Sequence, residues 1–338
     1  MISTSYCGER RFEVNKTVKI PPGPGEVQIE VAYCGVCGTD LHIFHGMMDK
    51  RVPYPMTIGH EMSGIVVAIG ENVNGVTMGD KVVVRPLDTR NERDSDKGLS
   101  HICAGLKILG VDSPGAMQQY WNVPAFTIHR LPEDMDMQLA AMVEPLAVAC
   151  HDVRLSRLSN GELAVVLGGG PIGLLVAMVA RSKGAHVIVS EPNKVRGELI
   201  RSLGFDVIDP IEKDLLSHVK SKTEGRLADV VFEVAGVPST VKDMTKIAGL
   251  RSRIVVVAIH GVDREVSLFD VFWKELEIQG ARVYEKEDYD EAIALIDKGG
   301  LPLNRIITAV EPLSKIQEVF SAMDENPDGM KVLLNCQK

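Results

Sequence analysis

Cysteine, histidine and carboxylate residues gather in the first half of this 338-residue chain: Cys37, His42, His45, His60, Glu61 and Glu144. Thiolate, imidazole and carboxylate are donors that zinc accepts, and a catalytic zinc keeps one position open for water or substrate. His60 and Glu61 are adjacent in "GHE", just ahead of the β-rich run "MSGIVVAIG". Glu144 stands in "AAMVEPLAVACHD", an otherwise apolar helical stretch, where a carboxylate is costly unless paired or metal-bound. Taken singly, each residue has an ordinary alternative. A lone histidine is usually a surface or satisfied core residue, and Cys37 alone is compatible with a small buried hydrophobe. In "VAYCGVCGTDLH" two residues separate Cys34 from Cys37, a spacing open to a zinc knuckle, a redox dithiol or neither.

A second chemistry-bearing pattern lies further on. "ELAVVLGGGPIG" runs from an apolar strand pattern into Gly168-x-Gly170-x-x-Gly173, with Pro171 and Ile172 inside the motif. A helical apolar run follows to Ala180, and "KGAHVIVSE" makes a second strand ending in Glu191. A strand, a glycine turn, a helix and an acid about 20 residues on are the parts of a dinucleotide site. The glycines permit a tight turn and close backbone approach to a pyrophosphate, and the helix N-terminus offers it oriented N–H groups. Glu191 would accept hydrogen bonds from the adenosine ribose and repel a 2′-phosphate, which favours NAD. Arg196, five residues later, packs over the adenine or pairs with a carboxylate.

The elements that position these residues differ between the halves. After Glu191, "ADVVFEVAG" (228–236), "RIVVVAIHG" (253–261) and "ELEIQG" (275–280) read as strands, with the helical "STVKDMTKIAGL" after the first of them. Alternating strands and helices predict a parallel doubly wound sheet over residues 152–282. The first half has short β runs such as "EVQIEVAY" between Gly/Pro turns such as "PPGPG", which predicts an antiparallel or barrel-like domain. That domain takes in residues 1–151 and the return segment 283–338, with helical "EDYDEAIALIDKG" and "LSKIQEVFSAMDE" and a last strand, "KVLLNC". The uncharged stretch 163–180 imitates a membrane span, but the glycines and proline in it favour a buried strand, turn and helix. A net charge of −9 argues against nucleic-acid or anionic-membrane partners. Six scattered cysteines and no hydrophobic leader predict a reducing, cytoplasmic setting.

In order, "CGVCGTDLH", "GHEMSG", "GENV", "GDKVVV", "VEPLAVACH" and "GGGPIG" closely resemble the zinc-dependent medium-chain dehydrogenases, especially the sorbitol and threonine dehydrogenase-like branch. The resemblance runs from about residue 25 to the C-terminus. It implies a GroES-like β-rich catalytic domain beside a Rossmann domain, and homodimers or homotetramers. It implies that Cys37, His60 and Glu61 bind a catalytic zinc, with Glu144 fourth, directly or through water. Cys34 then falls at a variable position, so the C-x-x-C is neither knuckle nor redox pair. Asp40 is implied to orient His60, and Thr39 and His42 to relay the substrate's proton to water. Pro171, Ile172, Val257, Ala258, Ile259 and Arg282 match positions lining the cofactor. The implied reaction is reversible oxidation of a small alcohol with hydride passing to NAD.

The carboxylate-rich ligand set resembles that of enzymes acting on secondary alcohols of polyols. Phe44, Met47 and Met48 are expected to border the substrate, and Lys50 and Arg51 either meet an anionic group or are solvated surface charges. A sugar acid, sugar phosphate, aminocyclitol or threonine-like substrate thus stands beside a neutral polyol. A zinc-free reductase would need none of the four ligands. A non-enzymatic NAD-binding protein would show erosion of Thr39, His42 or Glu191, and all are present.

One departure carries a prediction. Relatives of this type often bind a structural zinc through four cysteines in a lobe after "GDKVVV". Here that segment reads "RPLDTRNERDSDKGLSHICAGLKIL", with Cys103 as its one cysteine. Asp94, Asp96, His101 and Cys103 are a poor substitute, since structural zinc sites almost always want four soft or borderline ligands. Metal analysis of the purified protein is expected to find one tightly held zinc per chain. Two would overturn this reading.

Overall fold

Apolar residues on alternate positions of Glu26–Val36 face a core, and this segment forms the longest strand of the molecule. The computed structural model describes residues 1–93, 96–326 and 328–338. Met1–Glu144 with Tyr289–Lys338 forms one compact unit, and Pro145–Asp288 forms another. The sequence had placed these limits at 151 and 282.

The first unit is β-rich. Strands β1 (Ile2–Tyr6) and β2 (Phe12–Lys16) make a hairpin. Then follow β3 (Glu26–Val36), helix α1 (Gly38–Phe44), β4 (Glu61–Ile69), β5 (Lys81–Val84), β6 (Leu87–Asp88), β7 (Lys107–Ile108), β8 (Tyr120–Pro124) and β9 (Ile128–Arg130). Short helix α2 (Met137–Ala140) precedes α3 (Val143–Leu155), within which the first unit gives way to the second.

The second unit alternates strand and helix throughout. It contains β10 (Leu163–Leu167), α4 (Pro171–Ser182), β11 (His186–Ser190), α5 (Lys194–Ser202), β12 (Asp206–Ile208) and α6 (Leu215–Lys222). It continues with β13 (Ala228–Glu233), α7 (Pro238–Ile247), β14 (Ala248–Val256), α8 (Leu268–Lys274) and β15 (Glu277–Gly280). The strands form one parallel sheet in the order β12-β11-β10-β13-β14-β15. This is the doubly wound order in which the first strand lies central and its glycine turn opens at the point where the winding reverses. The apolar stretch 163–180 resolves into β10, the turn and α4, and among the described residues no helix is long and apolar enough to cross a membrane. The chain returns through α9 (Lys286–Lys298), β16 (Ile307–Pro312), α10 (Ile316–Glu325) and β17 (Lys331–Asn335).

In the first unit, β16-β17-β3-β4-β5-β9 run side by side and β8 joins β3. All of these pairs are antiparallel except β16 with β17. Helix α1 is held by its C-terminal end. Phe44 stacks with Phe12 of β2 at 5.9 Å and meets Phe320 of α10 at 5.4 Å, while Phe12 and Phe320 are 4.6 Å apart. Three buried rings from sequence-distant elements anchor the helix whose other end carries Cys37.

A buried polar clamp orders the second unit where its chain enters and leaves. Asp288 bonds His151 Nδ1 at 2.8 Å and accepts from Arg154 Nε at 2.7 Å and from the Glu285 amide at 2.8 Å. Burial alone would raise its carboxyl, but the bonds from Arg154 and His151 outweigh burial and hold it far below the usual carboxylate range. A depressed folded pKa contributes stability above the unfolded value near 4 and loses it as pH falls through the folded one. Asp288→Asn is expected to cost about 3 kcal/mol in urea unfolding at pH 7. The gap should narrow as the measurement moves to pH 4 and below, and a pH-independent gap would show that charge is not the cause.

Candidate active site

Cys37 follows β3 in extended backbone and serves as the N-cap of α1. Its Sγ accepts the Thr39 amide at 3.2 Å, and its own amide donates to Asp40 Oδ2 at 3.0 Å. This reciprocal cap satisfies orphan donors of the first helical turn and aims the thiol outward. Just ahead of β4, His60 brings Nε2 to 3.3 Å from Cys37 Sγ. Its Nδ1 faces Asp40 Oδ1 at 3.7 Å, and both of those atoms are buried without a hydrogen-bond partner. Ligand atoms of Cys37, Asp40 and His60 lie within 4.8 Å of one another. Burial, then the charge of Asp40, pushes the Cys37 thiol up. A thiol and an imidazole nitrogen converging, with a carboxylate behind the ring, is the donor chemistry of a zinc site with its orienting partner. The residues present fit the metal that the sequence implies.

Glu61 lies on the same sheet face but is otherwise engaged. It is 1 % exposed, and both its oxygens accept from Lys331 Nζ, at 2.8 and 2.7 Å. The third donor of Lys331 reaches Val36 O at 3.2 Å. Gly35 makes room: it pairs with Glu61 across β3 and β4, and a Cβ there would come within 2.2 Å of Glu61 Oε2. The structure therefore brings Cys37 and His60 together and holds Glu61, expected as a third ligand, on Lys331. Glu144, in the first turn of α3, is buried. Burial alone would lower the pKa of His60 and Lys331, but the negative charge around them, chiefly Cys37 and Asp40 for His60 and Glu61 for Lys331, with Glu144 adding to both, raises it. Lys331 escaped the sequence reading. Its trace was a single cation in the apolar run "GMKVLLNC", whose meaning depends on what the strand faces.

Thr39 and His42 are partly buried and three residues apart on α1, hence on one helix face beside Cys37. Cys34 is fully buried on the opposite face of β3, so the two cysteines of the C-x-x-C point apart. His45 bonds Asp324 at 2.8 Å on the surface. Arg51 makes a bidentate pair with Asp112 at 2.8 and 2.7 Å, and Lys50 is exposed. In the charged loop, Asp94 lies outside the described residues. Among those described, Asp96 accepts the Ala104 amide, Cys103 is buried, and Asp96, His101 and Cys103 do not gather into a metal-holding group.

In the second unit, Gly168 has φ +107°, and Gly170 caps α4 ahead of Pro171. A Cβ on Gly173 would meet Gly168 O at 1.9 Å, so the turn closes only around glycine. Glu191 is buried, accepting the Gly169 amide at 2.7 Å and the Asn193 amide at 2.7 Å. It thus braces the glycine turn from beneath. Arg196 comes within 3.8 Å of where a Gly170 side chain would begin. The amides of Val257 and Ala258 donate to Glu233 O, while Ile172 is partly buried and Ile259 and Arg282 are exposed. The cradle fits a dinucleotide pyrophosphate at a helix N-terminus.

The chain is similar to known proteins over nearly its whole length. Residues 23–133 match the alcohol dehydrogenase GroES-like domain, and residues 171–298 match the zinc-binding dehydrogenase family. The chain is 53 % identical over 337 residues to 2-dehydro-3-deoxy-L-galactonate 5-dehydrogenase of Pseudoalteromonas atlantica, covering 99 % of each chain. It is 31 % identical to sorbitol dehydrogenase of Halalkalibacterium halodurans, covering 99 % of this chain and 98 % of that one. A zinc-binding dehydrogenase of Sinorhizobium meliloti solved with NADP superposes with TM-score 0.92 at 29 % identity, over 99 % of this chain and 98 % of that one.

The Glu61–Lys331 pair yields a test. Lys331→Met leaves a carboxylate buried without its partner and is expected to cost about 3–4 kcal/mol. Adding Glu61→Gln should recover most of that loss in the same urea titration. If the double variant is no more stable than the single, the pair is not what holds these strands.

Proposed function

The chain belongs to the zinc-dependent medium-chain dehydrogenase family, and from that premise we propose that it oxidises a secondary hydroxyl of an acyclic sugar acid, with NAD as acceptor. The convergence of Cys37 Sγ on His60 Nε2, backed by Asp40, carries the enzymatic part of this reading. The substrate class rests on the relative at 53 % identity, whose name describes a six-carbon keto acid oxidised at C5.

Cys37, His60 and Glu144 would hold the zinc ion, with Glu61 kept in reserve on Lys331. A zinc ion held there supplies Lewis-acid chemistry that makes a bound hydroxyl easier to deprotonate. Bound NAD supplies the hydride acceptor. The protein's own residues do the rest. Asp40 stands at the far nitrogen of His60 and keeps Nε2 turned toward Cys37. The Thr39 hydroxyl, beside Cys37, takes the proton from the substrate hydroxyl, and His42 on the same helix face passes it to water. The glycine turn and the α4 N-terminus orient the pyrophosphate. The buried carboxylate of Glu191 beneath the turn supports NAD over NADP, since a 2′-phosphate would meet its charge.

Helix α8 and strand β15 support a homodimer. Leu268, Phe269, Phe272 and Trp273 are each at least 68 % exposed, beside the unpaired edge of β15. A second copy of the chain would cover that surface. Six cysteines, none of them in a disulfide among the described residues, support a reducing compartment.

The test is NADH formation across neutral polyols, aldonic acids, keto sugar acids, sugar phosphates, threonine and cyclitols, with NAD and NADP in parallel. Turnover is expected on a keto sugar acid with NAD. Cys37→Ala should abolish it while leaving NADH binding intact. Turnover confined to neutral polyols would replace the sugar-acid reading with the one that the sorbitol relative supports.

A further inference from the structure

A carboxylate entering a partly desolvated site needs a cation positioned for it. The two basic residues that the sequence offered for this are poorly placed: Arg51 is held bidentately by Asp112, and Lys50 is exposed. Lys331 has all three donors in use. Arg85, just after β5, is different. Among the described residues its guanidinium has no hydrogen bond or ion pair, and its Nε is buried without a partner.

Strand register places this side chain. Ser63 pairs with Val83, and Gly64 with Val82, in the antiparallel β4–β5 ladder. One further step on the same face sets Arg85 opposite Glu61. The Arg85 amide donates to Thr127 O at 2.8 Å, so the β5–β9 ladder continues to this residue. Glu61 in turn pairs with Gly35, and Cys37 follows two residues later on that face of β3. Lys331, Cys37, Glu61 and Arg85 thus stand along one end of one sheet face. Glu61 turns both its oxygens to Lys331, and among the described residues no hydrogen bond or ion pair joins it to Arg85. The Tyr289 hydroxyl donates to Val84 O at 2.7 Å, beside Arg85 in the chain; burial, then the charge of Glu144, raises its pKa, and the charge of Arg85 acts against them.

The dimensions agree with the substrate class. Two strand spacings, about 10 Å, separate the Cys37 strand from the Arg85 strand. The arginine side chain closes part of that gap. Four carbon–carbon bonds, about 5 Å when extended, separate C5 from the carboxylate of a six-carbon acid.

We propose that Arg85 is the specificity-determining residue that receives the substrate's carboxylate, while the hydroxyl to be oxidised sits at Cys37 and His60. The assignment rests on the sugar-acid reading above. A planar guanidinium matches a carboxylate through two parallel hydrogen bonds, which a lysine cannot reproduce.

The experiment compares the zinc-loaded enzyme, with saturating NAD, on the keto sugar acid and on its primary amide, which keeps the shape and removes the charge. The wild type is expected to favour the acid by about 30- to 100-fold in kcat/KM, with the difference in KM. Arg85→Gln should bring that ratio down to about one to three. Arg85→Lys, which retains charge without the fork, should lose about tenfold on the acid and serves if the glutamine variant folds poorly. Equal losses on acid and amide would make Arg85 a structural residue, and an undiminished acid preference in Arg85→Gln would place the carboxylate elsewhere; either result overturns the assignment and leaves the sugar-acid reading standing. A wild type that ignores the acid but oxidises a neutral polyol overturns both.

Discussion

The catalytic unit depends on one buried ion pair. Glu61 and Lys331 are 270 residues apart in sequence, and each is at most 2 % exposed. Attraction between charges is strong away from water, but each charge alone there is heavily penalised. The pair is tolerable because its geometry is complete. Both carboxylate oxygens are bonded, the third ammonium donor reaches Val36 O, and Gly35 leaves the space that the carboxylate fills. The same demand makes the pair a register device. A one-residue slip of β17 against β3 would carry Lys331 to the opposite face and strand Glu61.

The metal donors inherit their positions from this arrangement and from helix α1. Cys37 belongs at once to the end of a strand and to the cap of a helix, so the sheet sets its place and the capping box its direction. The aromatic cluster of Phe12, Phe44 and Phe320 fixes the other end of that helix. His60 immediately precedes Glu61, so whatever pins the glutamate also pins the imidazole. Asp40 stands behind the ring, its Oδ1 3.7 Å from His60 Nδ1, both atoms buried, on the side away from Cys37. The second unit uses the opposite strategy. Its site is a backbone turn, closed by glycines where a side chain would collide and braced by the buried Glu191 carboxylate.

Much of this was legible in the sequence because it is local. A strand running into Gly168-x-Gly170-x-x-Gly173, a helix, and an acid after the next strand is a pattern within one supersecondary unit, and each part implies the next through backbone geometry. The doubly wound sheet followed from strands and helices in alternation, and the β-rich first unit from their absence. The metal donors could be named as a set, and Asp40 as the residue behind His60, only through the family resemblance that the ordered motifs carry.

Tertiary structure alone decided which of the named carboxylates stands where. Glu61 was a candidate ligand by its place next to His60, yet the charge facing it comes from the last strand of the chain. Arg85 was one arginine among many until the β4–β5 register set it opposite Glu61. Neighbours along the chain are related by helical and strand periods that any reader can count. Neighbours across a sheet are related by register, which hydrophobic burial and close packing settle over the whole domain at once.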